Sequence, residues 1–224
     1  FVSDEDLEMV RDDDAVRVTN PLQTDEGWLR TRLLPGLLAT ARRNVRRHVR
    51  SVAVFEVDTV FRMVDGQPVE RPKAAFAMTG NADPGWASGD RAFDVFDAKG
   101  VVEALMAELG IGWSLGAPAG RPFHPGRSAV VEANGGRVGV LGEIHPAVAE
   151  RFDIPGRVGV AELEVEVLMR LARPFVRVED VPRFPPVRRD LAFTVDASTP
   201  AERVRSARAE AAGDLVSSVL RFDV

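Results

Sequence analysis

At 224 residues the chain has the length of one large domain or two small ones, and 45% hydrophobic residues supply enough apolar area for a true core. A net charge of −5 argues against a protein that coats nucleic acid indiscriminately. The absence of Cys excludes disulfides and thiolate metal sites; no run approaches the ~18 apolar residues of a membrane-spanning helix, and the acidic N-terminal stretch is unlike a signal peptide.

Charge is unevenly spread. Residues 1–27 carry nine acidic and two basic side chains, whereas residues 28–50 carry seven arginines and no acid. Lysine appears only at Lys73 and Lys99. Arginine suits phosphate recognition, although a general coding preference for Arg is the plainer explanation. A start at Phe1 without Met, and an end at Val224 inside an expected strand, suggest a fragment whose last unit is incomplete.

Residues 1–19 read as a short acidic helix followed by a brief strand, Ala15–Thr19. The stretch from Asn20 to Arg50 organises the rest of the chain. Thr31 is placed to cap a helix, Pro35 falls in its first turn, and Leu34, Leu37, Leu38, Ala41, Val45 and Val49 recur at three- and four-residue steps. Arg42, Arg43, Arg46, Arg47 and Arg50 fill the other side, where basic residues in the last turns complement the helix dipole. Ser51–Arg62 alternates as a strand, with Ala53, Phe55, Val57, Thr59 and Phe61 on one face and Val52, Val54, Glu56, Asp58 and Val60 on the other. Asp65-Gly66 makes a turn, Ala74–Thr79 a second strand, and Gly80–Gly89 a loop.

Asp94–Gly110 reads as a helix with Val101, Val102, Leu105, Met106 and Leu109 as its apolar stripe and Gly110 as its C-cap. Ser128–Ala133 and Arg137–Ile144 are strands joined through Asn134-Gly135-Gly136. His145-Pro146 opens a helix ending near Phe152, Val158–Glu164 is a strand and Val165–Leu171 a short helix. Hairpin-linked strands mixed with helices predict an α+β domain with a largely antiparallel sheet. Pro174, Pro182, Pro185 and Pro186 mark residues 173–186 as a linker. Beyond it Arg188–Val195 reads as a strand, and Thr199-Pro200-Ala201-Glu202 as a capping box. The helix it opens runs to Ala212, with Ala201, Val204, Ala207 and Ala211 inward and Gly213 as its stop, and Leu215–Val224 is a second strand. Strand–helix–strand is half of a split βαβ, ferredoxin-like unit.

The most site-like segments are His124-Pro125-Gly126-Arg127-Ser128-Ala129 and Gly142-Glu143-Ile144-His145-Pro146. His124, Arg127, Glu143 and His145 contain the parts of an acid/base site, but the spacing does not demand one. The plain reading is a loop end at His124-Pro125 and a structural Arg127–Glu143 ion pair. Convergence of the four side chains in one open pocket would favour an enzyme; internal pairing would count against it. Zinc finds neither Cys nor H-E-x-x-H. Glu56 and Asp58, two apart on one strand face, have the spacing of a Mg²⁺ pair, yet a face partnered by arginines is preferred. The basic side of the first long helix can face phosphate, solvent or the acidic N-terminal segment. Arg188 and Arg189 are candidate RNA contacts, though residues 183–224 hold seven Arg against six acids, which makes no strong basic field.

In order along the chain, several segments together resemble the beta subunit of bacterial phenylalanyl-tRNA synthetase. They are Phe1-Val2-Ser3, Asn20-Pro21-Leu22, Leu29-Arg30-Thr31-Arg32-Leu33-Leu34-Pro35-Gly36-Leu37-Leu38, Asn44, Phe55-Glu56, Phe61 and Phe96-Asp97-Ala98-Lys99-Gly100. The two site-like segments and Pro185-Pro186-Val187-Arg188-Arg189-Asp190-Leu191 complete the set. The resemblance covers almost the whole chain, and the order and spacing make it specific. It implies that residues 1–172 form a class II synthetase-like antiparallel sheet flanked by helices, catalytically inactive, followed by a linker at 173–186. Residues 187–224 would then be a truncated ferredoxin-fold anticodon-binding unit.

Inactivity agrees with two departures from class II signatures. Phe61-Arg62 is followed by Met63-Val64 where an acid is required, and Glu70-Arg71, Glu150-Arg151 and Glu202-Arg203 lack preceding glycines. The resemblance further implies no catalytic residue, metal or cofactor in this chain, with ATP and Mg²⁺ used by the holoenzyme. Its partners would be an alpha subunit, in an alpha2beta2 heterotetramer, and tRNA(Phe), in the cytoplasm and away from membranes. Leu34, Leu37, Leu38, Ala41 and Val45 would serve partly as a subunit interface, so some of them are expected to stand exposed in a lone chain. Full burial of all five would exclude that role. A free-standing RNA-binding module is the alternative.

Overall fold

The computed structural model describes residues 1–10, 14–21, 23, 27–82, 91–173, 185, 187–192, 194–196 and 198–213. The chain divides into two units, Phe1–Arg177 and Val178–Val224. The elements of the first are α1 (Asp4–Val10), α2 (Leu34–Val45), β1 (Ser51–Val64), β2 (Gln67–Gly80), α3 (Val95–Glu108), β3 (Ser114–Leu115), β4 (Phe123–Ala133), β5 (Gly136–Ile144), α4 (Pro146–Arg151), β6 (Val158–Glu164) and α5 (Val165–Leu171). The six strands form one antiparallel sheet in the order β1-β2-β6-β5-β4-β3. The expected α+β class and antiparallel sheet are therefore present.

Two hairpins frame this sheet. β1 and β2 pair along their whole length, from Ser51 with Gly80 to Val64 with Gln67. Asp65 and Gly66 close the turn with φ of 50° and 75°, the left-handed pair that a type I′ turn needs. Asn134 and Gly135 do the same for β4 and β5, at 51° and 75°. β2 begins well before Ala74 because β1 offers a partner to every residue. Only Lys73–Thr79 also meets β6, so Pro68 and Pro72 lie where the outer edge of β2 has no strand to bond. β4 also begins earlier than expected, at Phe123. Its pairing jumps from Phe123–Ile144 to Ser128–Gly142, which makes residues 124–127 a bulge in a strand rather than a loop. The expected strand at Ala15–Thr19 is reduced to a single bridge between Arg17 and Trp28.

Alternating side chains give the sheet two buried faces. Val52, Val60, Ala75, Ala77, Val158 and Val160 pack on one face with Leu34, Leu37, Leu38 and Ala41 of α2 and Ala149 of α4. Leu141, Ala161 and Leu163 pack on the other with Val102 and Met106 of α3 and Leu168 of α5. Val101, expected in the α3 stripe, is exposed, because the covered arc is centred on Val102 and Met106.

α2 starts and stops differently from the expectation. Its N-cap is Leu33, which has no polar side chain, and Thr31 lies buried before it with its hydroxyl unpartnered among the described residues. The helix start is satisfied from the sheet instead: Leu33 N–H donates to Glu162 Oε1 at 2.8 Å. At the other end the helix stops at Val45. His48 takes a φ of 61° and Val49 N–H donates to the Asn44 carbonyl at 3.2 Å, a Schellman-type closure with His where Gly is usual. Val49 consequently leaves the stripe and is exposed.

Glu162 is the centre of a buried ion network. Arg32 Nε donates to its Oε2 at 2.8 Å, Lys73 Nζ lies 3.3 Å from the same oxygen, and Lys73 also reaches Glu164 at 3.2 Å. Arg32 stacks over the Phe123 ring at 5.5 Å. Burial pushes the Glu162 carboxyl up, but the charges of Arg32 and Lys73, with the hydrogen bonds from Arg32 and Leu33, outweigh it and hold the pKa below its ordinary value.

The second unit contains α6 (Ala201–Ala212), which ends as expected at Gly213, φ 55°. Residues 187–192 and 194–196 are not a strand, contrary to the expectation for Arg188–Val195. A strand is held by its neighbour, and no partner strand lies among the described residues. Ala207 and Ala211, expected inward, are exposed for the same reason. Leu215–Val224 and most of 173–186 lie outside the described residues.

Two positions test the packing. Glu162→Gln is expected to cost about 3–5 kcal/mol, because Arg32 loses its carboxylate and Lys73, also buried, keeps only Glu164 among the described residues. Since folding depresses the Glu162 pKa, its stabilisation is complete above the unfolded carboxylate range and is lost as pH falls through the folded value. Urea denaturation at several pH values should show wild-type stability dropping on acidification below about pH 4.3, and the variant dropping less. Equal acid slopes would assign that loss to other carboxylates. Gly139 is the second position: a Cβ there would lie 2.3 Å from the Glu162 carbonyl and 2.8 Å from Leu163 Cα, both backbone. Gly139→Ala should destabilise by about 1–3 kcal/mol, and a neutral melt would show that β5 and β6 are less tightly apposed.

Candidate functional site

The bulge of β4 and the end of β5 bring His124, Arg127, Glu143 and His145 into one neighbourhood, but as two separate pairs. Arg127 Nε donates to Glu143 Oε2 at 2.5 Å. The Glu143 side chain is 1% exposed, its other oxygen accepts Val95 N–H at 3.2 Å, and Arg157 stands 4.0 Å away. Glu143 thus ties β5 to the bulge and to the first residue of α3, where a carboxylate is favoured by the helix dipole. Gly142 permits this closeness, since a Cβ there would lie 2.5 Å from Ser128 Cβ.

The two histidine rings stack at 6.4 Å with 27° between their planes. Each uses its Nδ1 locally. His124 Nδ1 accepts Gly126 N–H at 3.0 Å, and His145 Nδ1 accepts Ala147 N–H at 3.2 Å as the N-cap of α4. Two shallow cavities, one bordered by Glu5, Arg42 and Arg151 and the other by Pro146, Glu150 and Pro155, contain none of the four side chains. The arrangement is the internal pairing that counts against an enzyme, and the Arg127–Glu143 ion pair is the plain reading realised.

Glu56 and Asp58 are partnered by an arginine, as preferred. Arg30 Nη1 lies 2.6 Å from Glu56 Oε1 and Nη2 lies 2.6 Å from Asp58 Oδ2, while Nε donates to the Thr59 carbonyl at 3.0 Å. A backbone hydrogen bond from Thr59, then Arg30, holds the Asp58 carboxyl below its ordinary pKa. Among the described residues, no group of three or more His, Asp or Glu is placed to share a metal ion.

The α2 stripe is less exposed than expected. Leu34, Leu37, Leu38 and Ala41 are buried in the chain's own core, and only Val45 is half-buried. The four must be buried because they fill the space between α2 and β1–β2. Uncovered apolar surface lies instead on β1, where Phe55 is 80% and Val57 61% exposed, with Ala53 also open. Their cross-strand partners Phe76, Ala74 and Met78 share that face. The outer edge of β1 is bonded near its end, where Phe61 N–H reaches the Arg30 carbonyl and Met63 N–H the Asp14 carbonyl. The signal was present in the sequence: β1 carries apolar residues on both faces, Val52, Val54 and Val60 on one and Ala53, Phe55, Val57 and Phe61 on the other, and both sets call for cover.

On the basic side of α2, Arg42 borders a cavity with Glu5 and Asp6 of the acidic N-terminal segment, but no ion pair joins them among the described residues. Arg42 and Arg46 share Asp153, at 3.6 and 2.7 Å, and Arg43 bonds Thr40 at 3.1 Å. Arg47, His48 and Arg50 are exposed. In the second unit Arg188 and Arg189 are exposed, beside exposed Val187 and Leu191. No helix among the described residues is long and apolar enough to cross a membrane.

Comparison with known proteins gives this geometry its context. Residues 1–165 match the model of the phenylalanyl tRNA synthetase beta chain CLM domain, and residues 182–224 that of the ferredoxin-fold anticodon binding domain. The phenylalanine–tRNA ligase beta subunit of Symbiobacterium thermophilum is 46% identical over 92% of this chain and 24% of its own length. That of Moorella thermoacetica is 37% identical over 93% of this chain and 26% of its own length. That of Listeria innocua is 33% identical over 95% and 27%. The chain therefore spans about a quarter of the curated relatives it matches. With one family model covering most of its residues and a second following in order, the chain belongs to the phenylalanyl-tRNA synthetase beta chain family.

Proposed function

We propose that this chain is a non-catalytic part of a phenylalanine–tRNA ligase beta subunit, supporting assembly with the alpha subunit and docking of tRNA(Phe). The whole enzyme, an alpha2beta2 heterotetramer of the cytoplasm, would attach phenylalanine to tRNA with ATP and Mg²⁺. The observation that carries this reading is the ordered pair of family matches, beta chain domain then anticodon-binding domain, along one chain. On this reading residues 1–172 are an inactive class II synthetase-like module, 173–186 a linker and 187–224 the anticodon-binding unit, with Arg188 and Arg189 as RNA contacts. The six-stranded antiparallel sheet with helices on both faces supports the class II likeness. A free-standing RNA-binding module is not favoured, since the relatives are ligase subunits.

The residues present do not fit ATP and Mg²⁺. Glu56 and Asp58, the pair with metal spacing, are both held by Arg30, and Phe61-Arg62 lacks the acid that should follow. Phenylalanine activation is accordingly assigned to the alpha subunit.

The assembly surface is assigned to the outer face of β1. Phe55, Val57 and Ala53 form an apolar strand face at a sheet edge, which a partner module can cover. Leu34, Leu37, Leu38 and Ala41 contribute from beneath by holding α2 against the opposite face of β1, where half-buried Val45 packs with them.

Co-expression with an alpha subunit tests this. A Phe55→Asp, Val57→Asp double variant should fail to co-elute with alpha in size-exclusion chromatography while melting near the wild-type temperature. Leu38→Ala should instead cost about 2–5 kcal/mol of stability, as a cavity in the core does. Normal co-elution of the double variant would move the alpha contact to another face. Amino-acid-dependent pyrophosphate exchange by the beta chain without alpha would overturn the non-catalytic reading.

A further inference from the structure

Residues 42–50 contain five arginines and a histidine and no acid, in a chain whose net charge is −5. Among the described residues the carboxylate that ion-pairs with this run is Asp153, shared by Arg42 of the last helical turn and Arg46 at the C-cap. Those two suffice to complement the helix C-terminus, since the dipole acts only within the last turn. Arg47, His48 and Arg50 come after it. Their side chains are exposed and have no carboxylate partner among the described residues.

Their backbone is fixed, not loose. His48 N–H donates to the Val45 carbonyl, Val49 N–H to that of Asn44, and the Arg50 carbonyl accepts Asn81 N–H at 2.8 Å. Sheet register then adds a further cation. Ser51 pairs with Gly80, and Thr79 with Val158, so Arg50 and Arg157 precede neighbouring ends of β1 and β6. β2 alone lies between, which sets their backbones about 10 Å apart. The Arg157 side chain is 54% exposed, and its ion-pair partner among the described residues, Glu143 at 4.0 Å, is already engaged by Arg127. One end of the sheet thus presents Arg47, His48, Arg50 and Arg157 on a rigid support, with Val49 as the exposed large apolar side chain among residues 47–50.

We propose that this end of the sheet is a second RNA-contact surface, separate from the anticodon-binding unit, where Arg47, Arg50 and Arg157 hold backbone phosphates. The proposal rests on the ligase reading for the identity of the RNA. Guanidinium groups suit phosphate oxygens, and a rigid cationic surface poor in apolar anchors is better matched to a polyanion than to a protein interface. Contacts to phosphate give affinity without sequence preference, so the surface positions the RNA and leaves its identity to be read elsewhere.

The test uses the complete beta subunit bound to alpha, with tRNA binding followed by fluorescence anisotropy across a range of salt concentrations. Arg47→Gln with Arg50→Gln should weaken binding about tenfold and reduce the slope of log affinity against log salt by about 2, with the melting temperature unchanged. Arg137→Gln, beside the β4–β5 turn at the far end of the sheet, should alter neither. Retention of wild-type affinity and slope in the double variant would overturn the proposal. So would weakened alpha association with tRNA binding intact, which would make the patch a protein contact. Failure of the wild-type assembly to charge tRNA with phenylalanine, with RNA binding still lost in the double variant, would count against the ligase reading and leave this surface standing.

Discussion

One buried carboxylate ties the first unit together. Glu162, at the centre of β6, receives Leu33 N–H, the Arg32 guanidinium and the Lys73 ammonium. Each bond joins a different part of the chain: the entry to α2, the segment before it, and β2. A charge this deep costs several kcal/mol to desolvate, so it persists only with its partners in place. That is a constraint on geometry more than a source of stability. It fixes where α2 begins and how it lies over β1–β2, and so where the turn after it emerges beside the sheet end.

The same economy governs the other polar groups. Arg30 takes both Glu56 and Asp58, and Glu143 takes Arg127 and the start of α3. The two histidines accept backbone N–H groups in the turns they occupy. Residue types that elsewhere make metal ligands and acid/base pairs are here joints between elements. Chemistry needs a group with an unspent lone pair or proton facing a space. In these clusters the lone pairs are spent on the fold. The exposed apolar face of β1 and the exposed arginines after α2 are not spent in this way, and both are suited to contact.

Local signals were readable wherever a short-range rule decided them. Asp65-Gly66 and Asn134-Gly135 named their turns, and β6 and α5 lie where their patterns placed them. Failures came where a distant residue decided. Thr31 has the chemistry of a cap, but Glu162, far along the chain, takes that role. The end of α2 carries no Gly, so the left-handed turn at His48, which leads into the pairing of Ser51 with Gly80, had no glycine to announce it. The equality of the two faces of β1 was visible as alternation, whereas which face would be covered depended on α2 lying on one side and α3 and α5 reaching only part of the other. The strand expected at Arg188–Val195 had the composition of a strand but no neighbour among the described residues to make it one.

The bare face of β1 also has a meaning for the cell that makes this chain. Phe55 and Val57 stand on a long edge strand, the kind of surface that adds to other strands when left alone. On the assembly proposed for it, a molecule produced in excess of the partner that covers that face is a substrate for chaperones, proteases and aggregates alike. Balanced supply of the chain and its cover is thus a demand written into the sheet, and abundance of one without the other is a burden that no strengthening of the core would relieve.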